Sequence, residues 1–376
     1  MNFIDIKRQY NCYKEEIDEA VLQVMASGQF ILGRQVEALE EALCRFTGAR
    51  YAVGVSSGTD GLLLSLMALG VGPGKVVVTT PFSFFATVET IMLLGAEPSF
   101  SDIDPLTFNL DPTLLEKRLD KLQSAGKKVE GVIAVSLYGQ CADMDEINRI
   151  CTSRGLFLVE DACQSLGATY KGRMSGNLSK IGVTSFFPSK PLGCFGDGGM
   201  IFTSDKTLFE RLKAMRVHGD TGRYEHRYLG LNARLDALQA AVLGVKLKHF
   251  KKEIALRQQA AKRYQQLLFE LEQRGAIKLP FVAPGCTSVY AQYTIRIKSR
   301  DRQRVAELLE RQSVPTAIHY PRPLHLLEPL KRFGFKQGDF PEAELAAHEV
   351  LSLPMHAFID TSEQEQVAEA LLKAFE

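Results

Sequence analysis

Neither sign of charge dominates this 376-residue chain: 45 Lys and Arg stand against 44 Asp and Glu, a formal net charge of +1. That balance gives no general electrostatic reason to bind nucleic acid or an anionic membrane, so any anionic ligand must be recognised locally. No segment approaches the roughly 18 uninterrupted apolar residues of a membrane span. The opening Met1-Asn2-Phe3-Ile4-Asp5 also lacks the basic-then-apolar pattern of a secretory signal. The expected setting is the cytoplasm. The cysteines (Cys12, Cys44, Cys141, Cys151, Cys163, Cys194, Cys286) are odd in number and never form a C-x-x-C pair. Zinc or dithiol chemistry thus loses its usual signature, and buried reduced thiols are expected. The histidines show no H-E-x-x-H spacing, so no metal is assigned. There is no repeat at solenoid periods and no low-complexity linker.

What is present is a chain too long for one ordinary core, so two packed domains are expected. From about residue 50, short apolar runs alternate with amphipathic stretches, the grammar of βα units feeding a mostly parallel sheet. Seven strands are expected, at Tyr51–Ser56, Lys75–Thr80, Pro98–Ile103, Gly131–Leu137, Leu156–Glu160, Val183–Phe187 and Met200–Thr203. Helices are expected near 60–70, 84–95, 113–124, 142–153 and 205–217. An amphipathic segment at roughly 10–27 precedes the sheet and would pack on a partner subunit or the second domain. Between about 234 and 273, Leu235, Leu238, Val242 and Val245 recur three or four apart, the apolar face of one long helix. Beyond it a strand-like Val289–Ile297, a charged helix near 300–312, the segment Val314–Pro323 and a last helix near 361–375 suggest a smaller α+β domain. The expected division is 1–250 and 251–376, running through the long helix.

Three local features carry chemistry. The run Thr184-Ser185-Phe186-Phe187-Pro188-Ser189-Lys190 ends an expected strand and presents a lysine where the chain turns. Such a lysine can condense with an aldehyde cofactor, although a solvated loop lysine has the same local pattern. A second apolar strand, Leu156-Phe157-Leu158-Val159, ends in Glu160 and Asp161, and ligands of open α/β sheets bind at such strand ends. Asp161 is placed to keep a pyridine nitrogen protonated, the condition for that ring to act as an electron sink. On its own it fits a helix cap equally well. Third, Ser56-Ser57-Gly58-Thr59-Asp60 joins a strand to a helix, where free N–H groups and the helix dipole favour a phosphate.

Taken together in this order, with Gln164 three residues after Asp161, these features resemble the DegT/DnrJ/StrS family of pyridoxal-phosphate (PLP) sugar aminotransferases, over essentially the whole chain. The resemblance implies the fold-type I, aspartate-aminotransferase-like architecture: an α/β large domain with a seven-stranded mostly parallel sheet, and a smaller C-terminal α+β domain. It implies Lys190 as the Schiff-base lysine, with Gly58, Thr59 and Ser185 on the phosphate. Phe84, in Phe82-Ser83-Phe84-Phe85-Ala86-Thr87, would stack on the ring, and Gln164 would contact the other ring face or the 3-hydroxyl. Asn232 would reach the phosphate of a neighbouring subunit, which makes a homodimer with shared active sites the expected assembly.

Several runs narrow the resemblance: Ser136-Leu137-Tyr138-Gly139-Gln140, Ser189-Lys190-Pro191, Ser288-Val289-Tyr290 and His319-Tyr320-Pro321. They are similar to the branch that aminates UDP-2-acetamido-2-deoxy-3-oxo-glucuronate for bacterial surface polysaccharide. Many other members carry His at the positions of Ser136 and Ser288, and Asn where Pro191 stands. A substrate with a carboxylate at C6 needs a cation, and Arg234, two residues after Asn232, is the candidate. His319 and Tyr320 are candidates for the sugar pocket. The implied reaction is a pair of half-transaminations, with glutamate as donor, pyridoxamine phosphate (PMP) as the intermediate cofactor form, and a UDP-sugar ketone as acceptor. The alternatives are another 3-keto or 4-keto nucleotide sugar, a sugar dehydratase, which would carry His rather than Lys190, and a non-catalytic regulatory protein on the same fold.

Overall fold

The structure, a computed structural model, describes all 376 residues. Helices α1 (Ile6–Cys12), α2 (Lys14–Ser27) and α3 (Arg34–Thr47) open the chain. Strands and helices then alternate: β1 (Tyr51–Val55), α4 (Gly58–Ala68), β2 (Val76–Thr79), α5 (Ala86–Leu93), β3 (Glu97–Phe100), α6 (Pro112–Ser124), β4 (Val129–Val135), α7 (Met144–Ser153) and β5 (Phe157–Asp161). A small hairpin, β6 (Thr169–Tyr170) and β7 (Arg173–Met174), leads to β8 (Ile181–Ser185), β9 (Gly199–Thr203) and α8 (Lys206–Met215). The long helix α9 (Ala237–Leu267) and the short α10 (Phe269–Gln273) precede β10 (Ile277–Lys278), β11 (Tyr293–Ile297), α11 (Arg302–Arg311), α12 (Pro341–Glu349), β12 (Val350–Leu353) and α13 (Thr361–Phe375).

The main sheet has seven strands in the order β1-β9-β8-β5-β4-β2-β3, and only β9 runs against the others. Val76, Val77, Val78 and Thr79 are all buried, as a parallel strand covered on both faces requires. Side-chain alternation divides them: Val76 and Val78 join Leu39, Leu43 and Ile147 in one core, while Val77 joins Leu62, Val159 and Val183 in the core on the other face. The parallel arrangement brings the ends of β1, β5 and β8 to one edge, and the three chemical features follow those ends.

A second core gathers Tyr293, Ile295, Leu351, Leu353, Val305, Leu309 and Leu371 around a three-stranded sheet, β10-β11-β12. Helix α9 belongs to both cores. Its Phe250 and Ile254 pack with the first, and its Ala260, Ala261 and Tyr264 pack with the second, so position 250/251 falls inside one uninterrupted helix. The segment from Leu324 to Val350 turns back, and Leu324, Leu330, Phe340 and Ala343 pack with Phe82 and Phe100 of the large unit. The expected helix at 10–27 is broken at Tyr13 into α1 and α2. Ile17 of α2 packs on Val242 and Val245 of α9, which gives that apolar stripe an intrachain partner. Arg8 of α1 donates to the Phe358 carbonyl at 2.6 Å and pairs with Glu363 at 2.8 Å, tying the start of the chain to the C-terminal unit.

Candidate active site

Asp161 is the last residue of β5 and is 5% exposed. Its Oδ2 accepts from Thr87 Oγ1 at 3.0 Å and its Oδ1 from the Cys163 amide at 3.2 Å. Thr87 in turn sits 2.9 Å from Ser83 Oγ; with its proton given to Asp161, it accepts from that serine. No Lys, Arg or His of the chain forms an ion pair with Asp161, and a buried carboxylate without a counter-cation is costly. The neighbouring Glu160 faces the other side of the sheet, as strand alternation dictates. It accepts from Ser175 Oγ (2.9 Å) and the amides of Gly176 (2.8 Å) and Leu178 (3.0 Å), and burial raises its pKa. Of the two adjacent acids, only Asp161 opens toward the strand-end cleft.

Gln164 fixes the next layer. Its Oε1 accepts from the Tyr138 amide at 2.8 Å, and its Nε2 donates to the Tyr320 hydroxyl at 3.1 Å. Tyr320 lies 6.4 Å from the Phe84 ring, tilted 40°, and 5.9 Å from the His319 ring, edge to face. Burial and the charge of Asp161 push the Tyr320 phenol well up. Phe84 is 58% exposed although Phe82, two residues earlier, is fully buried, which leaves an aromatic face free beside Tyr320.

The Lys190 amide donates to the Phe187 carbonyl at 2.8 Å in the turn after β8. Strand β8 ends at Ser185 rather than at Phe187, so the lysine lies five residues beyond the strand end. Burial, then Lys190, lowers the pKa of His319, and Lys190 offsets part of the rise that burial and Asp161 give the Cys163 thiol.

At the start of α4, Ser57 caps the helix by accepting from the Asp60 amide at 3.0 Å. The Asp60 carboxylate takes both serine hydroxyls, Ser56 at 2.5 Å and Ser57 at 3.0 Å. The N–H groups of Gly58 and Thr59, in the first turn, have no partner within the helix. Gly58 is pressed against the end of β8: a Cβ there would stand 2.8 Å from Ser185 Cβ and 2.9 Å from Cys163 Sγ. The ends of β1, β5 and β8 therefore meet at a point with free helix N–H groups on one side and a buried acid on the other.

Among known proteins, residues 11–372 match the DegT/DnrJ/EryC1/StrS aminotransferase family. This chain belongs to that aminotransferase family. A Pseudomonas aeruginosa protein named UDP-2-acetamido-2-deoxy-3-oxo-D-glucuronate aminotransferase is 46% identical over 371 residues, covering 99% of each chain. The crystal structure of a DegT DnrJ EryC1 StrS aminotransferase from Brucella abortus superposes with a TM-score of 0.95 at 35% identity, covering 99% of each chain. The structure of NtdA from Bacillus subtilis with bound cofactor PMP superposes at a TM-score of 0.91 and 30% identity, covering 100% of this chain and 85% of that one.

The aminotransferase is a PLP enzyme, and its residues fit that cofactor. An uncompensated buried acid suits a cationic ring, an exposed aromatic face suits ring stacking, and free helix N–H groups beside a close-packed glycine suit a phosphate. Two candidates stand slightly apart. Asn232 is exposed and Arg234 half-buried, on the backbone strip that pairs with Val217 and with Val55 at the end of β1. Their side chains have no hydrogen-bond or ion-pair partner within the chain. Sequence reasoning missed Thr87, Ser83 and Tyr138, whose contacts to Asp161 and Gln164 form only on folding. It also gave Cys163 no part, although its position between Asp161 and Gln164 places it beneath Gly58.

Proposed function

We propose that this aminotransferase moves an amino group from L-glutamate to the 3-keto group of UDP-2-acetamido-2-deoxy-3-oxo-D-glucuronate. The product is UDP-2-acetamido-3-amino-2,3-dideoxy-D-glucuronate, for O-antigen or related surface polysaccharide. The observation that carries this reading is the end-to-end 46% identity to the Pseudomonas enzyme of that name. The half-buried Arg234, without an acidic partner of its own, supports it as the cation for the sugar carboxylate.

Bound PLP supplies an aldehyde and an electron sink. Lys190 would hold it through Nζ and, once the amine of glutamate has displaced that link, would be the free amine placed to take the α-proton of glutamate and to return a proton to the carbon that receives the amine, so one amine would serve as anchor, base and acid. Asp161 would hold the proton on the ring nitrogen, and Thr87 and the Cys163 amide fix the orientation of its carboxylate. Gln164 and Phe84 would bracket the ring, and Gly58, Thr59 and Ser185 would bind the phosphate. His319 and Tyr320 form the wall where the sugar enters. Asn232 and Arg234 act across a homodimer interface, a role supported by their unpartnered side chains and by the exposed apolar Phe30, Ile31 and Leu229. The working units are 1–250, which carries the cofactor site, and 251–376, which supplies His319 and Tyr320.

The test is a cycle read in the visible spectrum. Glutamate should bleach the yellow protein, and the 3-oxo uronate should restore the colour while the amino sugar accumulates. Recovery with a 4-oxo sugar and none with the 3-oxo uronate would reject the substrate assignment.

A further inference from the structure

The turn that carries Lys190 has no regular structure of its own: residues 186–198 form neither helix nor strand. It is closed tightly, since the Cys194 amide donates to the Phe186 carbonyl at 2.8 Å, and a Cβ on Gly193 would stand 2.5 Å from the Pro188 carbonyl oxygen. Its outer half rests on α9. The Lys246 ammonium donates to the Gly193 carbonyl and lies 4.9 Å from the centre of the Phe195 ring. One heptad earlier, Gln239 accepts from the Phe195 amide at 2.8 Å and donates to the Phe195 carbonyl at 3.4 Å. One heptad later, Glu253 accepts from Gln9 at 2.7 Å. Positions seven apart lie on the same side of a helix, so 239, 246 and 253 form one polar stripe under the turn. Its two charged members are buried, Lys246 at 1% and Glu253 at 2% exposure, and lysine is almost never fully buried without a specific partner.

Beyond Lys246 the stripe borders a cavity with about 20 Å³ of room for water, lined by Pro188, Lys190, Gln9, Glu253, Arg257 and His356. Glu253 Oε1, Arg257 Nε and both ring nitrogens of His356 are buried without a partner in the chain. A space of that size with several polar partners has room for a single water.

We propose that the polar stripe of α9 is a positioning floor for the Lys190 turn, with Lys246 as its principal positioning residue. The stripe fixes where the Lys190 amine stands relative to the cofactor without touching substrate. This rests on the aminotransferase reading given above. Burial holds the Lys246 amine at about 8 against an ordinary 10.5, with Glu253, Cys194 and Arg257 as the charged and titratable groups facing it, so the contact with the turn forms against a desolvation penalty.

The experiment compares PLP-loaded wild type with Lys246→Met and Gln239→Leu. With Lys246→Met, kcat should fall about ten- to hundredfold, the scale of an ångström-level misplacement. KM for glutamate should stay near wild type, and the visible circular dichroism band of the bound cofactor should weaken. Gln239→Leu should move the same readouts less. A Lys246→Met protein with wild-type kcat and dichroism overturns the proposal, as does one whose KM and melting temperature fall out of line together with kcat. Should Lys246→Met not yield folded protein, Gln239→Leu decides: unchanged kcat and dichroism there overturn the proposal. Failure of the wild type to take up PLP or to respond to glutamate would instead refute the aminotransferase reading itself.

Discussion

Replacing Gly58 with alanine probes the phosphate cradle with a single methyl group. The added Cβ would meet Ser185 Cβ at 2.8 Å and Cys163 Sγ at 2.9 Å, inside normal van der Waals contact. Gly58 begins α4 and its φ lies outside the left-handed region, so the backbone accepts alanine and the penalty is steric. Relief requires the start of α4 to move away from the ends of β5 and β8, which separates the free N–H groups from Ser185 and from the Asp161 and Lys190 segments. One extra methylene in a close-packed site costs about 1–3 kcal/mol. Borne by the cofactor-bound state, that weakens PLP binding about 5- to 150-fold. Titrating PLP into the apo-protein and following absorbance gives the dissociation constant directly. Gly61→Ala is the control: its Cβ would crowd Val183 Cγ1 at 2.7 Å, one turn deeper in the same helix, lowering the melting temperature with little change in PLP affinity. A folded Gly58→Ala protein that binds PLP as tightly as wild type would refute the cradle.

Asp161→Asn leaves the shape of the site but removes the charge that holds the ring proton, so the rate of the glutamate half-reaction should fall about 10²- to 10⁴-fold in stopped-flow absorbance; an unchanged rate would remove Asp161 from the chemistry. Thr87→Val deletes the 3.0 Å bond to Asp161; a bond to a charged group is worth about 1.5–3 kcal/mol, which should appear as weaker cofactor retention in gel filtration. Arg234→Ala should raise KM for the UDP-uronate about tenfold or more, the scale of truncating one partner of a charge pair, while leaving the glutamate half-reaction unchanged; equal effects on both halves would count against a role in sugar binding. Burial, reinforced by Arg257, holds His356 at about 4 against an ordinary 6.5. The unfolded chain therefore takes up a proton before the folded one as pH falls. Stability is full above about 6.5 and should decline by about 3 kcal/mol between there and pH 4. Urea unfolding across that window should show the slope, and His356→Leu should flatten it.

The sheet was readable because most of its strands are short apolar or β-branched runs bounded by turn residues, β3 (Glu97–Phe100) being the exception; the expected and observed boundaries differ by one or two residues at most ends. Helix α3 was missed although Val36, Leu39, Leu43 and Thr47 are buried at helical spacing, so that signal was present in the sequence. Tyr13 gave no comparable warning of the break between α1 and α2. Asp161 and the Ser56–Asp60 turn were legible because an open sheet brings such strand ends together, whereas Ser185 was reached only through the family resemblance. Thr87 was not, since its partner Asp161 is 74 residues away along the chain. The polar stripe of α9 was hidden for a different reason: Lys246 and Glu253 lie on the same side of the helix as Val242, but a charged residue gives no sign of burial by itself, and only the packing of the 186–198 turn and Gln9 over them buries their charges.

The assigned roles of Asp161, Gln164 and Gly58 all depend on which amine holds the cofactor. Reducing the PLP-loaded protein with borohydride locks that link as a stable secondary amine, and peptide mass spectrometry then locates it. A single phosphopyridoxyl adduct is expected on the peptide containing Lys190, absent from Lys190→Ala. An adduct on any other lysine, or none on the wild-type protein, would contradict it.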